Sequence, residues 1–140
     1  HVIVEEYIRG RELTVSIIDG IALPVVEIIP KGKFYDYNSK YIKGQSEYKI
    51  PAKLDLDLEN QIKEYAESLY ELVGCSHYSR VDFILDKNNN VYILEINTLP
   101  GLTDTSLFPK AYHEEFKDIC NKSNKTYDLL VLEIIKLALK

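Results

Sequence analysis

The chain has 140 residues, 46% of them hydrophobic and 28% charged, which fits one ordinary globular domain. A net charge of −5 excludes the basic face that nucleic-acid binding needs, and no apolar run reaches the roughly 20 residues of a membrane span. The chain shows no signal peptide, opens on His1 and contains no methionine, and it is expected to be a piece of something longer. Cys75 and Cys120 form no CxxC pair; they read as buried small hydrophobes in a reducing cytosol.

Val2–Glu6 reads as a first strand. "YIRGRE" (Tyr7–Glu12) reads as a Gly-containing turn, and Leu13–Ile18 as a second strand. Asp19-Gly20 is a strong hairpin signal, since both central residues of a type I′ turn need positive φ. Leu23–Ile29 alternates weakly and reads as a third strand. Pro30–Pro51, rich in Lys, Tyr and Gly, has no helical stripe, and a loop that long within a compact domain is disordered or functional.

The period then changes. Leu58, Ile62, Tyr65, Ala66, Leu69, Tyr70 and Val73 recur at i+3 and i+4, which predicts a helix over 55–73 with one apolar face. Asp55 or Asp57 suits its N-cap and Gly74 its C′ position. Ser79–Asp86 and Val91–Asn97 read as a hairpin, Thr98–Pro109 as a loop, and residues 110–120 as a helix. A last helix spans Tyr127–Leu139, with Thr126 as its cap. No internal repeat is visible.

The hairpin carries the chemistry. A two-residue turn at Asn88-Asn89 pairs Lys87 with Asn90. The same register sets Asp82 opposite Glu95 and Arg80 opposite Asn97. Alternation lifts these four side chains onto one face, leaving Val81, Phe83, Leu85, Tyr92, Leu94 and Ile96 for a core face. Opposed Cβ atoms in a ladder lie ~4.5–5.5 Å apart, so the two carboxylates repel unless something positive sits between them. A hard divalent cation with oxygen ligands fits, and Asn97 adds a neutral oxygen. The bland alternative is a solvated face neutralised by Arg80 and nearby lysines. The register also assumes an even loop; a three-residue turn breaks the pairing.

Four stretches, "EEYIRGRELTV" (Glu5–Val15), "GKFYDYNSKY" (Gly32–Tyr41), "SRVDFILD" (Ser79–Asp86) and "LEINTLPGLTDTSLFP" (Leu94–Pro109), resemble D-alanine–D-alanine ligases of the ATP-grasp superfamily. "EINTLPG" points to a carboxylate–amine ligase; "FYDYNSKY" with "LPGLTDTSL" is specific to the D-Ala–D-Ala branch. The resemblance covers almost the whole chain and implies residues 1–140 are the C-terminal portion of an ATP-grasp domain. The family's N-terminal domain, two upstream phosphate-binding lysines and its Gly/Ser-rich phosphate loop are absent. The implied fold class is α/β of the α+β type: a mainly antiparallel sheet with helices packed on one face and the hairpin central.

The resemblance implies ligation of two D-alanines through an acyl phosphate, with ATP as co-substrate and two Mg²⁺ ions (Mn²⁺ as substitute), for peptidoglycan precursors in the bacterial cytoplasm. Asp82, Glu95 and Asn97 match the metal ligands, with Glu95 bridging. Arg80 matches the arginine that steadies the transferring phosphoryl group, where a fixed guanidinium helps most in the transition state. The Gly101 N–H matches part of an oxyanion hole. Ser106 and Leu107 match the holders of the second D-alanine's carboxylate. Lys40 and Tyr41 match a pair that closes over substrate, with Tyr35 in the same loop. Glu5, Glu6, Tyr7, Ile8 and Glu12 match the adenosine-binding hinge. A homodimer is expected of the full-length protein, with no nucleic-acid or membrane partner.

Outside the resemblance, the Lys/Tyr-rich loop is a solvated surface run, "PG" a plain turn and Ser106 a cap. His77-Tyr78 stands where relatives often have Gly-Trp, and Asp104-Thr105 also departs. Three alternatives are a D-alanine–D-lactate ligase, another ATP-grasp carboxylate–amine ligase, and a non-catalytic nucleotide-binding module. The first usually lacks the Lys-Tyr pair kept here, and the last predicts loss of a metal ligand or of Arg80, none of which is lost.

Overall fold

The computed structural model describes residues 2–30, 46–103, 105–123 and 126–140, with the side chains of 122 and 123 left out. Six strands form one sheet: β1 (Gly10–Ile18), β2 (Ile21–Ala22), β3 (Val26–Pro30), β4 (Ser46–Lys49), β5 (Tyr78–Asp86) and β6 (Val91–Asn97). The order is β4-β3-β1-β5-β6, with β2 paired to β1, and every pairing is antiparallel. Four helices lie among the described residues: α1 (Leu56–Val73), α2 (Leu107–Glu115), α3 (Lys117–Ser123) and α4 (Thr126–Ala138).

Alternation along β1 divides the core. Leu13, Val15 and Ile17 face α1, where Ile62, Ala66 and Tyr70 pack on Val81, Phe83 and Leu85 of β5. Ile18 turns to the opposite face and joins Val26 and Ile28 against Phe108, Ala111, Cys120, Leu130 and Leu137. Helices therefore cover both faces of the sheet rather than one. This is why β1, although polar at Thr14 and Ser16, is buried continuously from Leu13 to Ile18. Cys75 and Cys120 form no disulfide; Cys120 is buried and Cys75 half-buried.

Several expectations change. Val2–Glu6 is no strand: residues 2–9 carry no ladder, and Val2, Ile3 and Val4 are exposed. Both edges of β1 are already taken, by β3 and β5. The "YIRGRE" turn is half strand, since β1 starts at Gly10, whose missing side chain lets the backbone lie against Leu85. The third strand starts at Val26, and part of the long loop is strand β4, paired with β3 through Ile28↔Tyr48.

Asp55 stands at the N-cap of α1 but makes no capping hydrogen bond, while Gly74 closes the helix at φ 71° as expected. The loop after β6 ends early because α2 begins at Leu107, with Pro109 tolerated in its first turn. The single helix over 110–120 is two, broken at Phe116 (φ −107°, ψ 28°), whose ring packs on Tyr112. Thr126 opens α4, with its hydroxyl 2.8 Å from His113 Nδ1. The hairpin is not central: β6 is an edge of the described sheet.

Candidate active site

The α1 face of the sheet is closed by core. On the opposite face α2 and α4 cover only one end; at the other, Thr14 and Ser16 of β1 are buried while Arg80 and Asp82 of β5 stay partly exposed. Arg80, Asp82, Glu95 and Asn97 meet there. β5 and β6 pair Asp82↔Glu95 and Arg80↔Asn97, as the sequence predicts. The turn does not support that register as assumed. It holds three residues, and the ladder near it runs Phe83↔Ile93, Ile84↔Tyr92 and Leu85↔Val91. A β-bulge at Leu94, between the Asp82 and Phe83 pairs, restores the opposition.

The bulge also changes the hairpin's core face. Val91 and Ile96 pack on the α1 core, whereas Tyr92, Ile93 and Leu94 are exposed. Tyr92 and Leu94, expected in the core, instead line a cleft of about 510 Å³. Glu5, Glu6, Ile8 and Glu12 line the same cleft, as do Asp82 and Glu95. Tyr7 lines a neighbouring groove with Arg9 and Tyr92.

A second cavity, about 440 Å³, lies across β6. Its walls include Arg80, Glu95, Asn97, Gly101, Ser106 and Leu107. Among the described residues, Glu95 is the one that lines both spaces. Tyr48, Thr103 and Thr105 line the second cavity as well, and the sequence reading assigned them no role in the site. Tyr35, Lys40 and Tyr41 lie outside the described residues.

The Arg80 guanidinium grips Asp82 with two of its three nitrogens, Nε to Oδ1 and Nη2 to Oδ2, each at 2.8 Å. This is the ion pair of the bland reading. It does not exhaust Asp82, because an ionised carboxylate has about four acceptor sites. Both partners are mostly sheltered, so the Arg80 guanidinium is held in place on the wall of the second cavity. Asn97 Oδ1 accepts the Leu99 N–H at 3.0 Å, which orients the amide and leaves one lone pair. No cluster of three His, Cys, Asp or Glu forms among the described residues. The donor set here is two opposed carboxylates and an amide oxygen. These are all hard oxygen donors, and such a set suits Mg²⁺ when phosphate oxygens complete the shell.

The loop after β6 is tied down locally. Ser106 takes the N-cap position of α2 without capping it. Its Oγ instead accepts the Thr103 N–H at 3.0 Å and lies 2.9 Å from Thr103 Oγ1. Lys110 binds the Thr105 and Ser106 carbonyls and sits 5.4 Å from the Tyr48 ring centroid. The first-turn N–H groups of α2, starting at Leu107, face no intrahelical partner, and such a terminus favours a carboxylate.

A family model described as "D-ala D-ala ligase C-terminus" matches residues 1–123. D-alanine–D-alanine ligase of Methylacidiphilum infernorum is 51% identical over 124 residues, covering 86% of this chain and 41% of that protein. The Syntrophotalea carbinolica ligase is 42% identical over 134 residues, covering 96% and 41%. Among solved structures, the Bacillus anthracis D-alanine–D-alanine ligase complexed with ATP is 34% identical with a TM-score of 0.73, over 96% of this chain and 41% of that one. The chain thus spans about two-fifths of the length of the curated relatives it matches. Among the described residues no helix is long and apolar enough to cross a membrane.

Proposed function

This chain belongs to the D-alanine–D-alanine ligase C-terminal family, and on that premise we propose that the full-length protein joins two D-alanines at the expense of ATP. The observation that carries the reading is the position of Glu95, shared by the cleft of the N-terminal glutamates and the cavity of Arg80, Gly101 and Ser106. A carboxylate there sits where a nucleotide's terminal phosphate, entering from one side, meets an acceptor lying in the other.

In this reading Glu5, Glu6, Tyr7, Ile8 and Glu12 hold adenosine. Glu5 takes the adenine amino group and Glu12 the ribose hydroxyls. Asp82, Glu95 and Asn97 would hold the divalent cations, Mg²⁺ or Mn²⁺, which screen phosphate charge when bound. Arg80 stabilises the transferring phosphoryl group and then the tetrahedral adduct. Charge grows there during reaction, so a guanidinium already fixed by Asp82 costs no reorganisation. The Gly101 N–H contributes to the oxyanion hole. Ser106 Oγ and the Leu107 N–H take the carboxylate of the second D-alanine, whose amine attacks the acyl phosphate and expels phosphate. Tyr35, Lys40 and Tyr41 close over the cleft and keep water from the acyl phosphate.

Residues 1–140 supply the metal strand and the acceptor cavity. The first D-alanine and part of the nucleotide are held by the remainder of the full-length protein. A homodimer in the bacterial cytoplasm rests on the family resemblance alone, and light scattering on the full-length protein tests the dimer. The test of function is ATP- and D-alanine-dependent phosphate release by the full-length protein. Release with another acceptor acid, and none with D-alanine, moves the chain elsewhere in the superfamily.

A further inference from the structure

Asp82 has a third donor besides the two guanidinium nitrogens. Thr14 Oγ1 lies 2.6 Å from Oδ1. Thr14 stands in mid-β1, directly across from Asp82, and is fully buried. Its hydroxyl has one proton and two acceptors in reach, Asp82 Oδ1 and the Val81 carbonyl at 3.2 Å. The shorter contact goes to the ionised acceptor, and charge-assisted bonds are roughly twice as strong as neutral ones. The proton therefore goes to Asp82.

The lone-pair count then has a consequence. Each carboxylate oxygen has about two acceptor sites. Oδ1 receives Thr14 Oγ1 and Arg80 Nε, so it is full. Oδ2 receives one Arg80 nitrogen and keeps a site. We propose that Thr14 is a positioning residue: by completing Oδ1, it leaves Oδ2 of Asp82 as the oxygen presented to the divalent cation shared with Glu95. The proposal rests on the reading of Asp82 and Glu95 as cation ligands.

Arg80 alone does not do this work. It lies two residues from Asp82 on the same strand and grips both carboxylate oxygens alike, so it does not distinguish Oδ1 from Oδ2. Thr14 belongs to the neighbouring strand, is β-branched and stiff at χ1, and is anchored by a ladder from Gly10↔Asp86 to Ile18↔Tyr78. It references the carboxylate plane to the sheet itself. A purely structural threonine, satisfying only its own buried hydroxyl, predicts a stability loss on mutation with no change in cation binding.

The experiment titrates Mn²⁺ into the full-length protein with saturating ADP and reads free Mn²⁺ by electron paramagnetic resonance. Thr14→Val removes the hydroxyl at constant shape. Its Mn²⁺ affinity is expected to fall about tenfold, the lower end of the range for groups that orient a metal ligand. Thr14→Ser, which keeps the donor, restores affinity close to that of the unmodified protein. Thr14→Ala carries the same expectation as Thr14→Val if the valine variant does not fold. Undiminished Mn²⁺ binding in the hydroxyl-free variant, alongside its loss in Asp82→Asn, overturns the role of Thr14 and leaves the cation reading intact. Undiminished binding in Asp82→Asn removes the cation reading, and the proposal with it.

Discussion

Gly101→Ala tests the acceptor cavity at one atom. A Cβ at position 101 would lie 2.8 Å from Ser106 Oγ, where ordinary contact begins near 3.4 Å. The hydroxyl must retreat by about 0.6 Å or change rotamer. Its bonds to Thr103 N and Oγ1, now 3.0 and 2.9 Å, then lengthen to about 3.5 Å, beyond useful hydrogen-bond range. At about 1 kcal/mol per neutral bond the loss is about 2 kcal/mol. That corresponds to roughly 30-fold in an equilibrium. The displaced hydroxyl is the group that holds the acceptor's carboxylate and must be re-seated on binding, so KM for the second D-alanine is expected to rise by up to that order in a phosphate-release assay. Folding stability should move less, because alanine in a loop lowers unfolded-state entropy by ~0.4–1 kcal/mol. A double-mutant cycle isolates the cause. With Ser106→Ala in place, the 2.8 Å contact disappears and the next neighbour is 3.7 Å away. Gly101→Ala should then cost almost nothing more. An equal penalty in that background refutes the collision and leaves the Gly101 backbone N–H as the sensitive group.

Arg80→Ala in the full-length protein is expected to cut turnover by about 10²–10³, the loss typical of one transition-state charge stabiliser; a loss under tenfold in kcat/KM takes Arg80 out of the chemistry. Gly10→Ala places a Cβ against the Leu85 carbonyl and 2.6 Å from Ile84 Cγ2. Separating β1 from β5 there should cost about 1–3 kcal/mol, read as a lower urea midpoint, and an unchanged midpoint counts against the close approach. Glu27→Gln breaks the fork in which Arg11 donates to both carboxylate oxygens at 2.9 Å, joining β1 to β3. Those hydrogen bonds hold the Glu27 carboxyl below its ordinary range. Its contribution, about 1 kcal/mol for a partly exposed pair, is thus present above the unfolded carboxylate range and lost as pH falls through the lower folded value. The two proteins should differ in urea midpoint at neutral pH and converge in acid; a gap that persists in acid assigns the effect to packing.

Local signals were legible and long-range ones were not. Asp19-Gly20 is a turn because both residues reach positive φ, 50° and 80°, and α1 ends at Gly74 for the same reason. The apolar period of α1 finds Ile62, Ala66 and Tyr70 buried with Leu58 and Leu69 packed beside them, whereas Tyr65 and Val73, expected on the same face, are exposed. β4 was hidden because Glu47 and Tyr48 sit in a Lys/Tyr-rich segment, and only pairing with distant β3 makes them a strand. Gly10 looked like a turn glycine, yet its use is closeness to Leu85 across the sheet. The break at Phe116 lies in its backbone, φ −107° and ψ 28°, which periodicity does not encode. Thr14 was invisible as a site residue, since threonine in a strand is ordinary β-propensity until Asp82 is seen opposite.

The Asp82–Glu95 opposition shows how a strand pairing can be read correctly from a partly wrong turn. Asp86 folds the turn, accepting the Asn88 and Asn90 N–H groups on Oδ1 and the Asn90 amide on Oδ2. Asn89 takes the left-handed conformation, φ 63°, and three residues fit between Asp86 and Asn90. Continued without interruption, that register would place Leu94 opposite Asp82 and Glu95 opposite Val81, on the core face. Burying an unpaired carboxylate there is far costlier than the fraction of a ladder bond that a bulge gives up. Adding Leu94 as an extra residue returns Glu95 to the polar face. The extra side chain finds room because it opens into the cleft, where Leu94 is 56% exposed. The odd turn and the bulge thus cancel, and the geometry that brings two carboxylates together depends on both.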